Sequence, residues 1–197
     1  MPRTRSASRR SSSASEPRSG SLAGLQAQTD PLQAARESVL RRLAAAPRTY
    51  AQLRDGLLER GFELHVIAQV LDRYVEVGLI NDVEFAEMWG RSRHSIRGNA
   101  RSVLRRELRD KGVATEDAEA ALESITDESE RVRAVDLVRR KLASTTRLEH
   151  QARVRRLTSM LARRGYPPAV CFGVVKEVLD DPDTRDLLEL HDVQIDG

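Results

Sequence analysis

The strongest constraint on the fold is a repeat written around three glycines. Gly61, Gly112 and Gly165 stand 51 and 53 residues apart in a chain of 197. Each follows a basic residue (Arg60, Lys111, Arg164), with a leucine four positions back (Leu57, Leu108, Leu161) and another eight back (Leu53, Leu104, Leu157). An apolar residue comes next (Phe62, Val113, Tyr166), and further on Ile67 and Val70, Ala118 and Ala121, Cys171 and Val174 hold matching places. Leucines four apart share one helical face, and a glycine just beyond them can take the left-handed conformation that closes a helix. Each repeat therefore predicts an αα-hairpin, and the period marks stacked small units.

Between the tails the apolar positions fall three and four apart, with no sustained alternation, and aromatic and β-branched residues are too sparse for a sheet. The second helices have recognisable starts. Thr115 precedes Glu116 and Asp117, which suit the positive first turn, and Pro167 and Pro168 suit a helix entrance. A third helix is expected in the first two repeats, "DVEFAEMWGRSR" after Asn81 and "DESERVRAVDLVRRKLAS" from Asp127. The chain turns acidic after Asp180, so the last helix of the third repeat is expected to be short or absent. The expected fold is all-α: three tandem three-helix repeats in a curved, elongated array, spanning 31–94, 95–146 and 147–180, the last truncated.

Both ends differ from this middle. Residues 1–30 open with "MPRTRSASRRSSSASEPRSGS", eight serines and five arginines against one glutamate. Such a segment cannot bury enough apolar surface to offset its ordering entropy, which reads as a disordered basic tail. It serves either as a solvated linker or as a loose electrostatic arm for nucleic acid or an acidic partner. Residues 181–197 form an acidic tail; from Asp180 onward there are seven carboxylates and one arginine.

Composition removes several classes of function. The single cysteine, Cys171, excludes an internal disulfide framework, and four separated histidines offer no zinc spacing. A reduced, cytoplasmic setting is expected. No stretch reaches the roughly 18 apolar residues that a spanning helix needs. Phosphate loops of the Walker type, Gly-x-Ser-x-Gly elbows and His-Glu-x-x-His are all lacking, so a non-enzymatic protein without cofactor or metal is expected. Cys171 holds the place of Ile67 and Ala118 and is expected to be a small buried hydrophobe. Phe85, Met88 and Trp89 share one side of a short helix and are expected to seal the core of the first repeat.

What remains is a binding surface. Net charge is only +3, yet from Arg91 to Lys111 eight basic residues stand against Glu107 and Asp110. Arg91 and Arg93 lead into Arg97, Arg101, Arg105 and Arg109, which recur every four residues, and Arg153, Arg155 and Arg156 open the third repeat at the equivalent place. Guanidinium groups bond phosphate and carboxylate in bidentate fashion, so two stripes on successive repeats can track a polyanion or an acidic protein groove. From spacing alone, a solvated charged face is an equal reading.

"GLINDVEFAEMWGRSRH" followed by "GNARSVLRRELRDKGV", and later "RVRRLTSMLARRGYPPAVCFGVVKEVL", resemble the bacterial RecX regulatory family in all three segments, from about Pro31 to Asp180. One departure is Asn99, where members often have a second glycine or a proline. The resemblance implies a monomeric modulator that binds the RecA recombinase filament on single-stranded DNA and restrains ATP hydrolysis, strand exchange and coprotease activity. It also implies roles in recombination, DNA repair and the SOS response, with no membrane association. The nine arginines named above are then expected to face DNA phosphate or acidic filament surfaces. A general basic module that binds single or double strands by itself is the alternative.

Overall fold

The computed structural model describes residues 30–185. Nine α-helices run through them: α1 (Pro31–Ala45), α2 (Tyr50–Leu58), α3 (Leu64–Glu76), α4 (Asp82–Ser92), α5 (Arg101–Asp110), α6 (Thr115–Leu122), α7 (Asp127–Leu142), α8 (His150–Arg163) and α9 (Pro168–Asp180). A five-residue π-turn, Arg93–Arg97, continues α4. Residues 1–29 and 186–197, which hold all but residue 30 of the first expected tail and all but 181–185 of the second, lie outside the described part.

The glycine repeat describes the hairpins correctly. Leu53, Leu57, Leu104, Leu108, Leu157 and Leu161 are all fully buried, and α2, α5 and α8 all close in the same way. The N–H of the residue after the glycine donates to the carbonyl of Leu57, Leu108 or Leu161 at 3.1–3.3 Å, and the glycine N–H donates to Leu58, Arg109 or Ala162. This double closure is a Schellman motif and requires positive φ at the glycine, here +81°, +78° and +87°. The downstream pairs, Ile67 and Val70, Ala118 and Ala121, Cys171 and Val174, are all buried as well.

The grouping of helices differs from the expected one. Three buried clusters form, one within α1–α3, one within α4–α6 and one dominated by α7–α9. Phe85 and Ala86 of α4 pack with Leu104, Leu108, Val113, Ala118 and Leu122, and Trp89 lies against them. The aromatic face of α4 therefore opens the second unit, and Met88 stands exposed. The third helix assigned by sequence to each of the first two repeats is physically the first helix of the next one. Sequence order cannot say which neighbour an amphipathic helix covers; α4 has its apolar stripe turned toward α6. In this phase the third unit is complete, because α7 supplies its first helix.

Adjacent units meet through a repeated junction. The Tyr50 N–H, at the start of α2, donates to Asp82 Oδ1 at 2.9 Å, and the Arg101 N–H, at the start of α5, donates to Glu130 Oε1 at 2.6 Å. Asp82 and Glu130 each stand four residues before a buried alanine, Ala86 or Ala134, so the two bonds are equivalent. Nearby, the Thr49 hydroxyl donates to the Lys111 carbonyl at 2.6 Å, and the Ala100 N–H donates to the Arg164 carbonyl at 2.9 Å. Ser102 completes the second junction by donating to the Gly165 carbonyl at 2.6 Å. The glycines that close α5 and α8 thus also press against the preceding unit. A Cβ on Gly112 would stand 2.2 Å from the Ala51 Cβ, and one on Gly165 would stand 2.4 Å from the Ser102 hydroxyl.

Candidate interaction surface

Trp89 organises the basic segment that leaves α4. Its ring stacks on Phe85 with centroids 5.8 Å apart, and its indole N–H donates to Glu107 Oε2 at 2.8 Å. The Arg93 guanidinium carbon and the Lys111 ammonium stand 4.1 and 4.0 Å from the ring centroid. Cations over an indole face are held by its quadrupole. Asn99 donates its side-chain amide to the other oxygen of Glu107 at 3.0 Å, so one carboxylate ties the exit of α4 to α5.

The expected arginines separate into those held internally and those turned to solvent. Arg101 contributes to the junction: its guanidinium bonds Asp127 and lies 3.4 Å from Glu130 Oε2. Desolvation opposes the charge on Arg101, but Glu130 and Asp127 outweigh it and hold the group above its usual value. Arg153 is only 7% exposed. It donates to the carbonyls of Thr145, Thr146 and Leu148 at 3.2, 2.9 and 2.9 Å, tying down the loop before α8. These two leave the expected binding set, because side chains spent on the fold cannot also reach a partner. Arg105 pairs with Glu119 at 2.7 Å and Arg91 with Glu87 at 3.3 Å, though all four side chains remain substantially exposed and such pairs are weak.

Arg97, Arg109, Arg155 and Arg156 are exposed, and no ion pair joins any of them to a described residue. Arg106 belongs with them. It lies three positions before Arg109 on the same side of α5, off the four-residue stripe that spacing alone picks out. Distinguishing these from Arg101 requires the position of the neighbouring unit, which the arginine spacing does not carry.

Cys171 behaves as the sequence leads one to expect. It is 2% exposed, its thiol is pushed up by burial, and it donates a weak hydrogen bond to the Tyr166 carbonyl at 3.4 Å. Among the described residues no helix is long and apolar enough to cross a membrane.

The apolar counterpart of the arginines is a concavity of about 480 Å³ whose lining includes Leu40, Leu43, Leu79, Phe85 and Met88. It lies between the first two units, and Leu40, Leu79 and Met88 are exposed.

Three stacked three-helix units, with internal acid-to-helix junctions and exposed arginines that make no ion pair among the described residues, define a tandem helical-repeat protein. The chain belongs to the RecX family: models of the first, second and third three-helix domains of RecX match residues 35–73, 81–122 and 128–175. These limits follow the packing clusters. Regulatory protein RecX of Thermobifida fusca (strain YX) is 44% identical over 167 residues, covering 85% of this chain and 90% of the relative. The Regulatory protein RecX of Streptomyces lividans is 45% identical over 152 residues, covering 77% and 81%. The crystal structure of RecX from Lactobacillus salivarius matches with a TM-score of 0.69 at 20% identity, covering 76% of this chain and 97% of that one. That last similarity concerns the fold alone.

Proposed function

We propose that this protein is a non-enzymatic regulator of the RecA recombinase, binding its filament on single-stranded DNA and restraining ATP hydrolysis, strand exchange and coprotease activity. The observation that carries the reading is that all three units match the RecX domains in order, together with the regulatory name of the relatives. The protein acts as a cytoplasmic monomer in recombination, repair and the SOS response.

The residues support a division of labour. The apolar groove with Leu40, Leu79 and Met88 is the kind of exposed patch that a protein surface covers. Arg97, Arg106 and Arg109 present cations that no acid among the described residues pairs, suited to acidic filament surfaces or strand phosphate. A rigid array bridging neighbouring protomers would oppose the rearrangement that accompanies ATP turnover.

The test is ATP hydrolysis by the cognate RecA on single-stranded DNA with this protein titrated in. A fall in rate at amounts too small to cover the DNA supports a filament regulator. Inhibition that begins only when the strand itself is saturated would reduce the protein to a competing DNA-binding module.

A further inference from the structure

The third unit carries an aromatic where the other two do not. Phe172 follows Cys171 on α9, so its counterparts are Ala68 on α3 and Glu119 on α6. In the second unit that place is taken by the ion pair of Glu119 with Arg105. The counterpart of Arg105 on α8 is Thr158, so the third unit has exchanged an ion pair for a phenyl ring beside a hydroxyl. The ring is 61% exposed, while Cys171, Val174, Val175 and Val178 of the same helix are at 2% or less. It lines a concavity of about 400 Å³ with His150, Gln151, Val154, Arg155 and Thr158. Arg155 also borders an adjoining concavity that includes Arg156.

The surroundings select the occupant. A further copy of the repeat is disfavoured, because α8 lacks the open helix start that receives a carboxylate at the other junctions. Glu149 caps α8 from within, accepting from the N–H groups of Gln151 and Ala152. Arg153, the counterpart of Ala100, is folded into the preceding loop. What stays open is an apolar ring beside two arginines that make no ion pair with a described residue. That pairing suits a ligand with flat apolar faces strung on negative charges, and a phenyl ring stacks any base.

We propose that Phe172 is a base-stacking platform for single-stranded nucleic acid, with Arg155 and Arg156 holding the flanking phosphates. The platform works on a free strand, independently of the recombinase.

The experiment is fluorescence anisotropy of the full chain, without recombinase, on labelled oligothymidylate and on an abasic strand of equal length. The wild type should bind the thymidylate about tenfold more tightly than the abasic strand. Phe172→Ala should erase that preference and leave abasic binding unchanged, and Phe172→Tyr should restore it. Arg155→Ala with Arg156→Ala should weaken both strands and flatten the salt dependence. Equal wild-type affinity for the two strands overturns the proposal, as does a Phe172→Ala variant that keeps the preference. If Phe172→Ala keeps the preference but loses ATPase inhibition, the ring faces protein and the platform is refuted while the filament regulator stands. A Phe172-dependent preference in a protein that never inhibits RecA establishes the platform and overturns the filament reading.

Discussion

Glu130 accepts the backbone N–H of Arg101 at 2.6 Å and lies with its second oxygen 3.4 Å from the guanidinium of the same residue. One side chain of the third unit thereby caps a helix of the second and neutralises its first arginine. Glu130 is 9% exposed, so its loss would strand the α5 N-terminus and leave the partly buried Arg101 guanidinium with Asp127 alone. Glu130→Ala is expected to lower the unfolding free energy by about 2–4 kcal/mol, read by urea denaturation. Glu130→Gln, which retains an acceptor for the N–H, should lose less. Equal losses would refute the capping role.

The arginines of α5 should divide by assay. Arg101→Ala is expected to lower the melting temperature. Arg106→Ala combined with Arg109→Ala is expected to shift stability by no more than about 0.5 kcal/mol and to weaken RecA inhibition. Retained inhibition by a stable double variant would remove that face of α5 from the mechanism.

Gly61 and Gly112 allow helix closure to be separated from unit docking. Both have positive φ, yet a Cβ on Gly61 meets nothing within 4 Å, while one on Gly112 meets Ala51 at 2.2 Å. Gly61→Ala should cost about 1 kcal/mol from backbone strain. Gly112→Ala should add about 1–3 kcal/mol of overpacking, and Ala51→Gly in the same chain should recover part of that addition. Equal costs at the two glycines, measured by chemical denaturation, would refute close docking.

Asp82 offers a dependence on pH. Burial raises its carboxyl above the usual value, against the opposing bond from the Tyr50 N–H. The folded chain then holds this proton at pH values where the unfolded chain has released it. The contribution of Asp82 to stability is greatest below the unfolded value and declines as pH rises through the window between the two. Asp82→Asn keeps an acceptor and has no such window. Relative to wild type, the variant should gain stability as pH rises from acid to neutral; a constant difference in urea titrations would contradict this.

Tyr166 supplies the alkaline counterpart. Its hydroxyl is buried without a hydrogen-bond partner among the described residues, and burial pushes the phenol from 10.0 up to about 12. Stability contributed by the neutral phenol is full below pH 10 and is lost as pH climbs through this interval. Tyr166→Phe should match or exceed wild-type stability by up to about 1 kcal/mol at neutral pH. It should also be less sensitive to alkali, as followed by thermal melts above pH 10.

The hairpins were legible because their signals are local. Leu104, Leu108 and Gly112 lie within one helix and its closure, and a helical face read from spacing is a face in the folded chain. The phase of the units was not legible. The aromatic side of α4 fits either the preceding or the following hairpin by pattern, and only packing against Leu104, Leu122 and Ile125 decides. The candidate site divided in the same manner. Arg109, picked by its spacing, and Arg155, picked from the second basic run, are exposed as expected, whereas Arg106 stood outside the four-residue stripe and Arg153 was counted as a surface cation.

By itself, the amino-acid sequence determined that this is an all-helical protein of repeated hairpins, with glycines where helices must close and a family signature through all three units. These properties depend on residues close together in the chain. Tertiary structure decided which helix belongs to which core, which arginines are consumed in holding units together, and that Phe172 is left uncovered. Each of those depends on contacts between residues tens of positions apart, whose partners are set by packing and not by period.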